Sequence, residues 1–237
     1  MHAPRFTGPP SLNGSNGMTE RDFTVGDVPG VLRSPASGAG RAPLVLMGHG
    51  GGNHKKHPAM LGRAQRLVAG CGFHVAVIDA PGHCDRPRSA HDEREIASLY
   101  EARAAGEPVG PIVVRYNTHL ARLAVPEWQA THRDRSAAGR SRAQDHGRGL
   151  RAALARRPGR HARRITVPVE FDLQWDDEHI PREAGLALFD AFASAEKTLH
   201  ANAGRHKELP RFEADSAVRF FARHLGRHPG GAVTSPA

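Results

Sequence analysis

APLVLMGHGGGNHKKHPAMLGRAQRLVAGCGFHVAVIDA, residues 42–80, is the stretch whose reading decides the fold. Ala42–Met47 is a continuous apolar run, which suits a strand buried on both faces of a sheet. It stops at the glycine-rich loop GHGGGNHKKH. From Pro58 to Ala69, the residues Met60, Leu61, Ala64, Leu67 and Val68 recur on one helical face. Phe73–Ile78 is a second buried strand, and it ends in the loop DAPGHCDRP. Strand, loop, helix and strand make a βαβ unit, which demands parallel pairing through a right-handed crossover.

The pattern extends in both directions. Phe23–Val25 and Val31–Leu32 read as short strands around an Asp27–Gly30 turn. Residues 92–105 and 110–124 read as helices, the second able to run on to Trp128. Val167–Leu173 is a strand followed by the polar turn QWDDEHIP. Arg182–Ser194 is a helix with Leu188, Phe189 and Phe192 inward. Lys197–Ala201 is a strand, NAGRHKELP a loop, and Asp215–Leu225 a closing helix. The expectation is one α/β domain over residues 18–226, a mainly parallel sheet with helices on both faces and an irregular central part. Residues 1–17, rich in Pro, Gly, Ser and Asn, and the tail 227–237 are expected not to pack.

Composition narrows the function classes. The chain has 237 residues, enough to bury one sizeable core. No apolar run approaches the length of a membrane span, and no basic and apolar leader follows Met1. Two cysteines, Cys71 and Cys84, form no metal-finger spacing and no disulfide framework, so a reducing cytoplasm is the expected compartment. The net charge of +9 is local. Residues 129–164 hold eleven Arg, no Lys and two Asp, and the rest of the chain is balanced. Nucleic-acid binding therefore does not follow from the overall charge.

Four strand-end motifs in order, GHGGG, DAPGHCDR, WDDEHIP and NAGRH, resemble the α/β-hydrolase superfamily, in its dienelactone-hydrolase-like and small-esterase branch. The resemblance covers roughly residues 20–128 and 165–226. It implies carboxylic ester hydrolysis through a Ser, an acid and a His in that chain order, on a small-molecule ester, with no cofactor and no metal. His206 matches the histidine, which would shuttle a proton between nucleophile and leaving group. Asp177, opening D-x-x-I-P, matches the acid that would hold the imidazole, with Asp176 and Glu178 as competing neighbours. His49, Gly50, Gly51 and Gly52 match the oxyanion loop, where glycine lets backbone N–H groups approach a developing negative charge. His83 and Asp85 match a loop beside the site, with Asp85 expected to make loop hydrogen bonds. Each feature also has a plainer reading: one of sixteen histidines on a solvated loop, an acidic turn capping a helix, a flexible βα turn.

The nucleophile breaks the pattern, because no G-x-S-x-G occurs in the chain. The nearest string is GRSRA, Gly139–Ala143, which offers Ser141 without an apolar strand before it. Residues 129–164 contain no aromatic, Ile, Val or Met, and only Leu150 and Leu154 as large apolar side chains. Two strands and two helices between Trp128 and Val167 would need roughly 50 residues, more than this segment supplies. Such an Arg-, Ala-, Gly- and His-rich stretch is what a GC-rich coding region yields when read out of frame, and loss of the nucleophile elbow is the expectation. A rival reading makes the segment a genuine basic arm that binds a polyanion from a catalytically inactive scaffold. Without Lys or interleaved aromatics, base stacking is not supported. A third reading is a metal-dependent hydrolase, since His49, His54, His57, His83, Cys84 and Asp85 lie on two adjacent loops and zinc accepts all three ligand types.

Overall fold

The computed structural model describes residues 4–12, 17–38, 40, 42–133 and 162–227. These group into two compact units. One comprises the described residues up to Cys84, Pro126–Arg133, and those from Ala214 on; the other comprises Asp85–Val125 and Ala162–Glu213.

The first unit is built on a six-stranded mixed sheet. β1 (Pro4–Phe6) and β2 (Ser11–Leu12) both pair antiparallel with β3 (Met18–Val25), which forms a hairpin with β4 (Val28–Pro35). β5 (Leu44–Met47), α1 (Pro58–Cys71) and β6 (His74–Ile78) form the βαβ unit, with β5 and β6 parallel and β6 antiparallel to β4. All five residues of β6 are buried, as its unbroken apolar run requires. On one face Val45, Val75 and Val77 pack with Ala64, Leu67 and Val68 of α1 and with Ala222. On the other, Leu46, Ala76 and Ile78 meet Phe23, Trp128 and Ala130. Helices thus cover both faces. α1 starts at Pro58 behind His57, whose side chain accepts from the Ala59 N–H, and stops at Gly72, which takes the left-handed φ of +67°.

The second unit holds α2 (Ala90–Ala104), the first part of α3 (Gly110–Arg133), β7 (Val169–Gln174), α4 (Arg182–Ala191), β8 (Lys197–Asn202) and the start of α5 (Arg211–Leu225). Ser89 and Asp92 form a reciprocal capping box at the head of α2. β7 and β8 pair parallel, from Val169 against Lys197 to Gln174 against Asn202. α4 packs Leu188 on Phe171, Leu173 and Phe192. Gly185 makes the approach close, because a Cβ there would run into Leu173.

Four expectations are corrected. The four core strands do not share one mainly parallel sheet: β5 and β6 lie in the mixed sheet, β7 and β8 in a two-stranded one. The antiparallel hairpin and N-terminal strands fill the sheet on the β4 side, which makes it mixed. Residues 4–12, expected not to pack, pair with the exposed edge of β3, and Phe6 packs edge-on to Phe23. The Arg-rich segment is not irregular from residue 129, since α3 continues through Pro126 to Arg133 with Thr131 buried. α4 also stops early. Phe192 turns extended at its end, and the Lys197 ammonium, 3.0–3.3 Å from the carbonyls of Phe189, Asp190 and Phe192, takes up the open helix terminus. Ser141 and most of the Arg-rich stretch, residues 134–161, lie outside the described residues, as do 228–237.

Candidate active site

Because β7 and β8 are parallel and in register, the loops that follow Gln174 and Asn202 leave from the same, carboxyl, end of the pair. That end is where open α/β sheets place ligands. The turn WDDEHIP brings Asp177 there. Its Oδ1 accepts from the N–H groups of His179 and Ile180 at 2.7 and 2.9 Å, which fixes the carboxylate and leaves Oδ2 directed elsewhere. Oδ2 lies 2.8 Å from His206 Nδ1. The aspartate side chain is nearly buried, whereas the imidazole is 37% exposed.

The three neighbouring carboxylates are separated by what they bind. Asp176 faces the Gly204 N–H at 3.4 Å and Asp177 takes the imidazole. Glu178 accepts from the His206 backbone N–H at 3.0 Å. That bond, one from its own N–H and the nearby Arg205 pull the Glu178 carboxyl down to about 2. Glu178 therefore braces the histidine's backbone as an anion while Asp177 orients its ring. With Nδ1–H donating to Asp177, Nε2 carries the lone pair and faces no partner among the described residues. This is the tautomer a general base needs.

Sequence reasoning passed over His179. Its ring lies 4.7 Å from that of His206 at 58°, and its Nε2 is 3.3 Å from the Arg103 guanidinium. Burial and the neighbouring His206 charge lower its pKa. A cleft of about 610 Å³ opens beside it, lined by Arg103, Val109, Glu178, His179, Arg205 and Lys207 among others. The spacing of Asp177 and His179 within one turn was the available signal, but a distance of two residues gives no hint that a second loop closes on both.

The first unit holds the glycine loop. The N–H groups of Gly50, Gly51 and Gly52 make no hydrogen bond to the described residues, while the Gly50 carbonyl accepts from Asn53 N–H. The His49 side chain itself is structural. It is buried, its Nδ1 lies 2.9 Å from the Gly50 carbonyl, and its Nε2 accepts from the Ala80 N–H. Asp79, fully buried at the end of β6, accepts from the Lys55 backbone N–H and pairs with its ammonium. Arg33, also fully buried, bridges Glu20 across the hairpin and the Lys55 carbonyl. Loop conformation here is thus set by buried charge, which glycine composition alone did not announce.

The histidines considered for a metal on these loops are each engaged locally through Nδ1: His54 accepts from Lys56 N–H, His57 from Ala59 N–H, and His83 faces the Pro81 carbonyl. Among the described residues, the groups with metal-ligand spacing lie instead in the second unit, Asp177–His179–His206 and Asp172–His200–Glu213. Asp85 is exposed and makes none of the expected loop hydrogen bonds among the described residues. Cys84 is exposed and takes a φ of +53°, the left-handed conformation that glycine otherwise holds in these loops.

Solved structures resemble most of the chain. A cold-adapted esterase from an Arctic intertidal metagenomic library, bound to PEG, matches with a TM-score of 0.69 and 26% identity over 93% of this chain and 99% of that one. Its zinc-bound form matches with a TM-score of 0.64 and 24% identity, again over 93% and 99%. An acetyl xylan esterase from Paenibacillus sp. R4 matches with a TM-score of 0.56 and 12% identity, over 94% and 89%. The fold is that of the α/β-hydrolase esterases. No family model and no curated protein matches the sequence. Among the described residues no helix is long and apolar enough to cross a membrane.

Proposed function

We propose that this chain belongs to an ester-hydrolase lineage acting on small carboxylic esters, in the dienelactone-hydrolase-like and small-esterase branch, as a single α/β-hydrolase-type domain. The observation that carries the reading is the 2.8 Å Asp177–His206 bond at the carboxyl end of two parallel strands. In the proposed chemistry His206 Nε2 takes the nucleophile's proton as it attacks the acyl carbon, and later gives it to the leaving alcohol. Asp177 holds the tautomer and stabilises the imidazolium. The family resemblance assigns the N–H groups of the Gly50–Gly52 loop to the oxyanion, and His49 fixes that loop.

No metal or cofactor enters this scheme. The nucleophile limits it. Ser141 is the assignment nearest the family pattern, yet arginines flank it and no G-x-S-x-G surrounds it. We therefore expect slow turnover. Losing the nucleophile of a triad costs around a millionfold in the best-studied case.

The test is p-nitrophenyl ester hydrolysis and fluorophosphonate labelling of the full chain, repeated with Ser141→Ala and His206→Ala. Weak hydrolysis that falls with His206→Ala but not with Ser141→Ala, and no labelling, is expected. Robust turnover abolished by both substitutions would overturn the slow-enzyme reading and make Ser141 the nucleophile.

A further inference from the structure

We propose that Asp177, His179 and His206 form a binding site for a borderline divalent transition ion, with zinc as the test case, and that the bound ion withdraws the His206 lone pair from proton transfer. The second half rests on the proposed role of His206; the first does not.

The donor set is two imidazoles and one carboxylate, types that zinc accepts together, with a fourth position left to solvent. One donor atom from each residue lies within 4.8 Å of the other two. Zinc bonds of about 2.0–2.2 Å ask for donors roughly 3.3 Å apart in a tetrahedron, so small side-chain rotations suffice. The carboxylate is already aimed, because its Oδ1 is held by two backbone N–H groups and only Oδ2 is free to turn from hydrogen-bond acceptor to ligand. Such outer bonds orient ligands in metal sites. The two rings already stand 4.7 Å apart. Three cations of the same cleft oppose the ion: Arg103, which contacts His179 Nε2, Arg205 and Lys207. All three are exposed, and the Glu178 anion beside Arg205 partly offsets them.

Either mode of binding at His206 has the same effect. An ion on Nε2 occupies the lone pair directly. An ion on Nδ1, in place of the proton shared with Asp177, drives that proton to Nε2, which then has no lone pair to offer. No proton need leave the protein in the second case.

The experiment is isothermal titration of the chelator-treated full chain with zinc chloride, followed by carbethoxylation of His206 with diethyl pyrocarbonate, read by peptide mass spectrometry. One zinc per chain lost or weakened roughly tenfold or more by His179→Ala, with His200→Ala binding as the parent does, is expected. Saturating zinc is also expected to slow His206 carbethoxylation by a similar factor. Absence of binding in the parent at submillimolar zinc overturns the site. So does binding that survives His179→Ala and is lost with His200→Ala, which would place the ion on the Asp172–His200–Glu213 group. Binding without protection of His206 overturns the inhibitory half. Far-UV circular dichroism confirms that each variant is folded, and the parent titration decides even where a variant is not. None of these readouts uses ester turnover, so an inactive chain would count against the proposed function while leaving the metal site standing. Hydrolysis lost with chelator and restored by zinc would instead make the ion catalytic, and would overturn inhibition.

Discussion

The two parallel strand pairs of this protein carry two histidine-bearing loops at their carboxyl ends, and the loops are wired differently. After β5 and β6, His49 is buried with both ring nitrogens against backbone groups, and Asp79 beneath it is fully enclosed with Lys55. After β7 and β8, His206 spends one nitrogen on Asp177 and presents the other to solvent. An imidazole with both nitrogens consumed holds a loop in place. One with a single nitrogen anchored to a carboxylate is oriented and still able to exchange a proton. The same residue type thus anchors a loop in one place and is oriented by a carboxylate in the other, and the difference lies in the partners of the ring nitrogens.

Exchanging the two kinds of damage tests this most strongly. His206→Ala is expected to lower ester hydrolysis about 10²-fold or to the uncatalysed background. It should change stability by less than about 1 kcal/mol, since its contact with Asp177 is partly exposed. Asp79→Ala should do the reverse, destabilising the first unit by about 3–5 kcal/mol because it leaves the Lys55 ammonium without its buried partner. Urea unfolding and initial rates on the same preparations check both. If Asp79→Ala unfolds at the parent's midpoint, the glycine loop is not held by buried charge.

A smaller effect concerns His200. Burial alone would lower its pKa, but the Glu213 hydrogen bond and charge, with Glu170 and Asp172 nearby, raise it above the ordinary 6.5. A raised value means that the folded state holds the proton more tightly. Its stabilisation is therefore complete below pH 6.5 and is lost as pH rises through the raised value. Titration followed by histidine NMR should show a raised midpoint that falls in Glu213→Gln. An unmoved midpoint would remove the Glu213 contact from the account.

The smallest effect is at Cys84. Its left-handed backbone costs about 1–2 kcal/mol for an L-residue. Glycine removes that cost but adds about 0.5–1 kcal/mol of chain entropy to the unfolded state. Cys84→Gly should therefore stabilise the first unit by up to about 1.5 kcal/mol, seen as a modest rise in melting temperature. A fall would show that the thiol contributes packing that outweighs its backbone.

Much of this architecture was legible because it depends on local pattern. The unbroken apolar runs of β5 and β6 can only be buried on both faces, and the period of Met60, Ala64, Leu67 and Val68 fixes the inward side of α1. The short motifs D-x-x-I-P and NAGRH single out Asp177 and His206, and the structure brings the two side chains 2.8 Å apart. The turn itself is local chemistry, since Asp177 binds the N–H groups two and three residues ahead. Pairing was not legible in the same way. Nothing in PRF or SL, both in a segment rich in Pro, Gly, Ser and Asn, announces a strand, and β1 and β2 exist because the edge of β3 offers unpaired backbone groups.

By itself, then, the sequence determined the βαβ unit, the helix faces, the confinement of the net charge to one stretch, and the absence of a recognisable nucleophile motif. These follow from periodicity and composition, which need no knowledge of distant contacts. Only the tertiary structure decided which of three adjacent carboxylates holds His206, that His49 is an anchor, and that His179 stands against His206. Each of these depends on residues some thirty positions apart meeting at a strand end, and a one-dimensional pattern carries no record of which side-chain nitrogen or oxygen arrives there first.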